Sequence, residues 1–159
     1  MNDLKNIDNP RDLEFNPKDL EELHPEWIAG FIASAGCFHI SISKTKTIQS
    51  VKVQVLPDFS VVQHKSNKKI LYALQARFKC GIIRRNYKDY FVYRVRKRED
   101  LLNKIIPFFQ KYPLHTKKAE DFKNFCKVLN MMKEKKHLTE AGLQKIKEIK
   151  VGMNKYSQK

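Results

Sequence analysis

Cysteine is scarce: Cys37, Cys80 and Cys126 are the only three in 159 residues, and no two form a C-x-x-C pair. That spacing excludes a disulfide framework and a thiolate zinc site, and it fits a reducing, intracellular compartment. Long apolar runs are missing too: none approaches the roughly eighteen residues of a membrane span. The opening MNDLKNIDNPRDLEF has no apolar h-region and is acidic rather than arginine-rich. It therefore predicts neither a secretory signal nor a transit peptide, and a protein that acts where it is made, in an organelle or a prokaryote. Acid is the most telling shortage. Seventeen Asp and Glu stand against thirty-two Lys and Arg, a formal net charge of +15, which exceeds what solubility asks for and points to a polyanionic partner. The shortage is uneven: residues 1 to 26 carry eight acids and three bases, whereas residues 36 to 98 carry fifteen bases and only Asp58 and Asp89.

What is present is a core. A hydrophobic content of 42% with ten Phe and six Tyr predicts one folded domain over residues 23 to 159. Residues 1 to 22, polar with Pro10 and Pro17, read as an acidic N-terminal arm with a turn of helix around PKDLEEL. In HPEWIAGFIASAG, Pro25 suits the first helical position, Glu26 the first turn and Gly36 the stop. The helix between them is almost wholly apolar, which calls for burial on every side, and Ala29, Gly30, Ala33 and Ser34 would let another backbone come close. A core helix of a monomer and a helix packed on its own copy both satisfy this pattern. Past Gly36 the period becomes two, and Phe38, Ile40 and Ile42 alternate with His39, Ser41 and Ser43. QSVKVQVLPDFSVVQ returns as a second strand, with a bulge or edge position expected at Pro57. NKKILYALQARFKCG reads as a helix, GIIRRNYKDYFVYRVRK as a hairpin turning near Tyr87 to Asp89, and the remainder as helices, with Thr139 a plausible N-cap. The order is αββαββα with an extra C-terminal helix, an α+β plan.

The strand faces opposite the apolar ones carry His39, Ser41, Ser43, Gln54, Ser60, Arg84, Asn86, Arg94 and Arg96, with Lys44 and Lys46 in the connection and Lys68 and Lys69 opening the next helix. Arg and Lys match guanine edges in the major groove, Asn and Gln match adenine, and the remaining cations meet phosphates. An ordinary solvated face would mix both signs, and this one nearly excludes acids.

Ile28-Ala29-Gly30-Phe31-Ile32-Ala33-Ser34-Ala35-Gly36, flanked by Trp27 and Cys37-Phe38, resembles the signature of the LAGLIDADG homing endonucleases. FSVVQHKSNKKIL, CGIIRR, IIPFFQKYPLHTKKAEDF and KKHLTEAGLQKIKEIKVGMN extend the resemblance over roughly residues 23 to 154. It implies a saddle-shaped antiparallel sheet on double-stranded DNA, with Mg²⁺ held by a carboxylate at the foot of each of two packed motif helices. One motif copy implies a homodimer through Trp27, Ala29, Gly30 and Ala33, and a long pseudo-palindromic site. The family's acid precedes the final glycine, where this chain has Ala35, and Ala33 stands at the second, more variable acidic position. Hydrolysis through a divalent cation needs hard oxygen ligands, and a methyl group is none, so the Ser34 carbonyl is the nearest remaining donor. The resemblance further implies a solvent-ordering role for Gln63 and a supporting basic role for Lys117 or Lys118. The resulting expectation is a cleavage-defective member of the lineage with Mg²⁺ weakly held or absent. An intron RNA maturase and a non-cleaving DNA-binding regulator of the same fold stay open beside it.

Overall fold

The computed structural model describes residues 15, 16, 18, 20–44 and 52–155. Most of the acidic arm, the connection holding Lys46, and residues 156–159 lie outside the described residues. Helix α1 (Pro25–Ala35) runs directly into β1 (Gly36–Lys44), followed by β2 (Val53–His64), α2 (Lys68–Phe78), β3 (Ile82–Tyr87) and β4 (Tyr90–Val95). The remainder is helical: α3 (Arg98–Asp100), a π-turn over Leu101–Ile105, α4 (Ile106–Lys111), α5 (Lys118–Lys133) and α6 (Glu140–Val151). The π-turn sits just before Pro107, whose ring removes an amide donor and crowds the preceding turn, so a wider local register accommodates it. Thr139 caps α6 as its position suggests, its Oγ1 accepting from the Gly142 amide at 3.0 Å.

All strand pairs are antiparallel, in the order β1-β2-β4-β3. Of the bulge or edge position expected at Pro57, the structure has the edge: β1 and β2 stay in register through Ile40↔Pro57. Pairing with β4 begins only at Phe59, so β2 has a single neighbour at Pro57 and the missing N–H interrupts no second ladder. The bulge falls between Arg85 and Tyr87 instead, where Tyr87↔Tyr90 closes a two-residue turn.

Gly36 makes the sharp passage from α1 to β1. A Cβ there would lie 2.6 Å from Ile32 Cγ2 and 2.8 Å from the Ile32 carbonyl oxygen, so any side chain would force the helix end away from the strand. Two residues on, Phe38 enters an aromatic cluster with Phe59, Phe109, Phe122 and Phe125, its ring 5.2 to 5.7 Å from theirs. Truncating a core aromatic of this kind costs about 3–5 kcal/mol, so this cluster fixes where the α1–β1 junction sits. The helices bury one face of the sheet through Leu71, Leu74, Phe78, Phe125, Val128 and Leu129.

The all-round burial expected of α1 is only half met within one chain. Ile28, Ala29 and Ile32 are buried, whereas Trp27 is 47% exposed and Gly30 and Ser34 are open. Trp27 and Phe31 stack 5.2 Å apart along this uncovered stripe. Ala29, expected at a partner interface, is 6% exposed against its own core.

Candidate nucleic-acid interface and the cleft at the foot of α1

Strand register decides which side chains share the uncovered face. Phe38↔Phe59 and Phe59↔Val95 point to the core, so His39, Ser41 and Ser43 of β1, Gln54 and Ser60 of β2, Arg84 of β3, and Arg94 with Arg96 at β4 share the opposite side. Asn86 sits at the bulge near the hairpin tip, where Tyr87 and Tyr90 are exposed. Lys44 ends β1 in the open. Lys68 and Lys69 belong elsewhere: they open α2, which packs on the core face, and Lys68 Nζ lies 4.1 Å from the centre of the Phe91 ring. A cation–π contact with a core-facing ring places that ammonium behind the sheet rather than beside His39, Arg84 and Arg94.

The open face also holds an acid that alternation had left inconspicuous. Asp58, opposite His39 in the register, is 4% exposed, and Arg94 Nε and Arg96 Nε each lie 3.0 Å from its Oδ2. Two of the cations expected to meet a polyanion thus share one buried carboxylate. His39, beside them, is held below the ordinary histidine range by burial first and then by Lys150 and Arg94, with Asp58 opposing. His137 is likewise lowered, by burial and then by Arg98.

Both histidines favour the neutral form when folded, so the unfolded chain binds more protons on acidification. Their contribution to stability is present above about pH 6.5, the ordinary histidine value, and fades as pH falls through the lower folded values. Melting temperature should therefore drop between pH 7.5 and 5.5. The drop should shrink in a His39→Gln/His137→Gln double variant, and an unchanged acid slope in that variant would remove these histidines as its cause.

A cleft of about 530 Å³ opens at the C-terminal end of α1, lined by Ala33, Ser34, Ala35, Gly36, Cys37, Thr116, Lys117, Lys118, Glu120, Asp121, Gly152 and Lys155. Thr116 Oγ1 donates to the Ala33 carbonyl at 3.3 Å, tying the start of α5 to the foot of α1. The fold thus brings Ala33, Ser34, Ala35, Lys117 and Lys118 together although about eighty residues separate them in sequence. Gln63 is not in this cleft. It lines another cavity with Trp27, Phe31 and Asn67, and its Oε1 accepts from Asn67 Nδ2 at 3.4 Å.

The donors in the cleft do not fit a hard divalent cation. Ala33 and Ala35 offer methyl groups. Glu120 is paired with Lys117 at 3.5 Å, and Asp121 Oδ1 accepts from the Asn154 amide at 3.0 Å. Among the described residues no three His, Cys, Asp or Glu side chains group closely enough to hold a metal ion. Cys37 borders the cleft with its thiol pushed up by burial, partly offset by Lys118, so it stays protonated and offers no thiolate at neutral pH. No helix among the described residues is long and apolar enough to cross a membrane.

Comparison with known proteins bears on this arrangement. The LAGLIDADG endonuclease family pattern matches residues 28–129. The chain is 36% identical over 126 residues to probable intron-encoded endonuclease 2 of Neurospora crassa, covering 78% of this chain and 26% of that protein. It is 31% identical over 112 residues to DNA endonuclease I-CeuI of Chlamydomonas moewusii, covering 65% and 51%. Among solved structures, the homing endonuclease I-TnaI aligns at 45% identity with a TM-score of 0.81, over 86% of this chain and 91% of that one. I-SmaMI bound to uncleaved DNA in the presence of calcium aligns at 34% identity with a TM-score of 0.80, over 83% of this chain and 45% of that one. The chain spans about a quarter of the length of the N. crassa relative and about half of the I-SmaMI chain. The four-stranded antiparallel sheet and its C-terminal helices are therefore shared architecture, and the chain belongs to the LAGLIDADG homing endonuclease family.

Proposed function

We propose that this chain binds a specific double-stranded DNA site through the open face of its sheet, as a symmetric pair joined by α1, and leaves the DNA uncut. The observation that carries the binding is the face itself: His39, Gln54, Arg84, Arg94 and Arg96 sit on one side of four paired strands in a chain of net charge +15. Such a ribbon suits a major groove. Pairing is supported by the uncovered Trp27, Gly30 and Ser34 stripe. Lack of cleavage is supported by Ala35, in a cleft whose Glu120 pairs with Lys117 and whose Asp121 Oδ1 accepts from the Asn154 amide. What these residues can do there is neutralise phosphate and fix the backbone. Activating water through a divalent cation, expected to be Mg²⁺ in the family, lacks its donor.

Selection from a randomised duplex pool, followed by binding at several salt concentrations, tests this reading. A pseudo-palindromic site should emerge, intact after incubation with Mg²⁺, and its affinity should fall steeply as salt rises because each neutralised phosphate releases counterions. A salt-independent affinity, or tighter binding to intron RNA than to any duplex, would overturn it.

A further inference from the structure

Asp58 needs a reason to be where it is. A carboxylate on a face that meets a polyanion repels it, and among the described residues of that face Asp58 is the sole acid. It is also nearly inaccessible, at 4% exposure, so it cannot itself reach a base edge. Its contacts are specific. Arg96 Nε donates to Oδ2 at 3.0 Å, and Arg94 Nε lies 3.0 Å from the same oxygen as an ion pair. Because both hold one atom, the two Nε atoms lie within about 6 Å of each other. Register explains the geometry: Asp58 lies one step beyond the Phe59↔Val95 pair, level with Arg96 and diagonal to Arg94, which faces Ser60. Arg94 is 21% exposed and Arg96 49%, so the pair is graded from the sheet surface outward.

An unanchored arginine on such a face is a mobile charge that any phosphate satisfies. A hydrogen bond from Nε to a carboxylate, as Arg96 makes, fixes the planar fork, while the ion pair holds Arg94 beside the same oxygen, and recognition of guanine O6 and N7 depends on that orientation. We infer that Asp58 is a positioning residue for base selection: by gripping Arg94 and Arg96 together it aims both guanidinium groups at neighbouring base pairs of each half-site, favouring guanine there. It also cancels one of their two charges, which lowers affinity for arbitrary DNA. A separation of about 6 Å at most between the anchored nitrogens corresponds to one or two base-pair steps of about 3.4 Å. The inference rests on the duplex-binding reading above and names what part of that face selects.

The unmodified chain is assayed first. If it binds no duplex, the binding reading fails and this inference falls with it. If it binds, Asp58→Asn is compared on the selected site and on random-sequence duplex. Random-duplex affinity should rise severalfold with a steeper salt dependence, the ratio of specific to random affinity should fall about tenfold or more, and reselection should lose preference at one or two adjacent base pairs per half-site. Arg96→Lys, which keeps the charge and loses the fork, should relax one of the same base pairs without changing the salt slope. In an Arg94→Ala/Arg96→Ala background, Asp58→Asn should no longer alter base preference. A purely structural Asp58 would lower both affinities together with melting temperature, leave their ratio and the selected sequence unchanged, and so overturn the inference. If Asp58→Asn does not fold, Arg96→Lys decides: an unchanged sequence preference in that variant is equally fatal.

Discussion

Ala35→Asp is expected to give the chain a Mg²⁺-dependent cut in both strands at the centre of its bound site, where the unmodified chain is expected to leave the DNA intact. The change is local. Position 35 ends α1 at the cleft shared with Lys117 and Lys118, away from the strand residues proposed to meet base edges, so affinity should stay within a few-fold. The new carboxylate adds a hard oxygen donor where the methyl group now lies, and stabilisation of several kcal/mol at the transition state corresponds to about a thousandfold or more in rate. Ala35→Asn, of similar size but without the charge, should remain inactive. Incubating a supercoiled plasmid carrying the selected site with each variant distinguishes them. Efficient cutting by the unmodified chain would show that the acid function lies at another residue, and a bound but uncut site with Ala35→Asp would favour the maturase or regulator reading.

Gly30→Leu should abolish the proposed pairing through α1 without harming the single chain. A Cβ at Gly30 meets nothing within 4 Å inside the chain, and replacing glycine within a helix removes a penalty of about 1 kcal/mol, so the isolated fold should be as stable or slightly more so. Between two copies of α1 the added side chain would fill the space through which the backbones approach. Sedimentation at micromolar concentration should show the mass halving. Affinity for a full site should drop about a hundredfold or more, because two half-sites would no longer be bound as one linked event. If the unmodified chain is itself monomeric with and without DNA, pairing through α1 is wrong and a pseudo-palindromic target is no longer expected.

The order of elements was legible because it follows from local rules. The change of period at Gly36, the N-cap at Thr139, the hairpin turn after Tyr87 and the α1 limits at Pro25 and Ala35 each depend on residues within a few positions of one another. Alternation also sorted His39, Ser41, Arg84 and Arg94 onto one side of their strands, since side chains two apart along a strand point the same way whatever the strand pairs with. The glycine-ended apolar helix and the downstream segments are distinctive enough to mark the family by themselves.

Pairing across strands and packing between helices were decided only in three dimensions. Alternation along β2 cannot tell that Asp58 lies level with Arg96, because that depends on the β2–β4 register, and a composition that singled out Asp58 as one of two acids could not show that it pairs with two arginines. Nor can it tell which flank of Pro57 lacks a neighbour. An apolar helix announces that it wants burial but not on whose account, so only packing could show Ala29 covered by its own chain and Trp27, Gly30 and Ser34 left open. The same limit applies to Lys68, drawn behind the sheet by Phe91, and to Gln63, placed in a cavity apart from Ala35. Residue type set the chemistry each of these could perform, and the register and packing of the folded chain set the neighbours with which it could perform it.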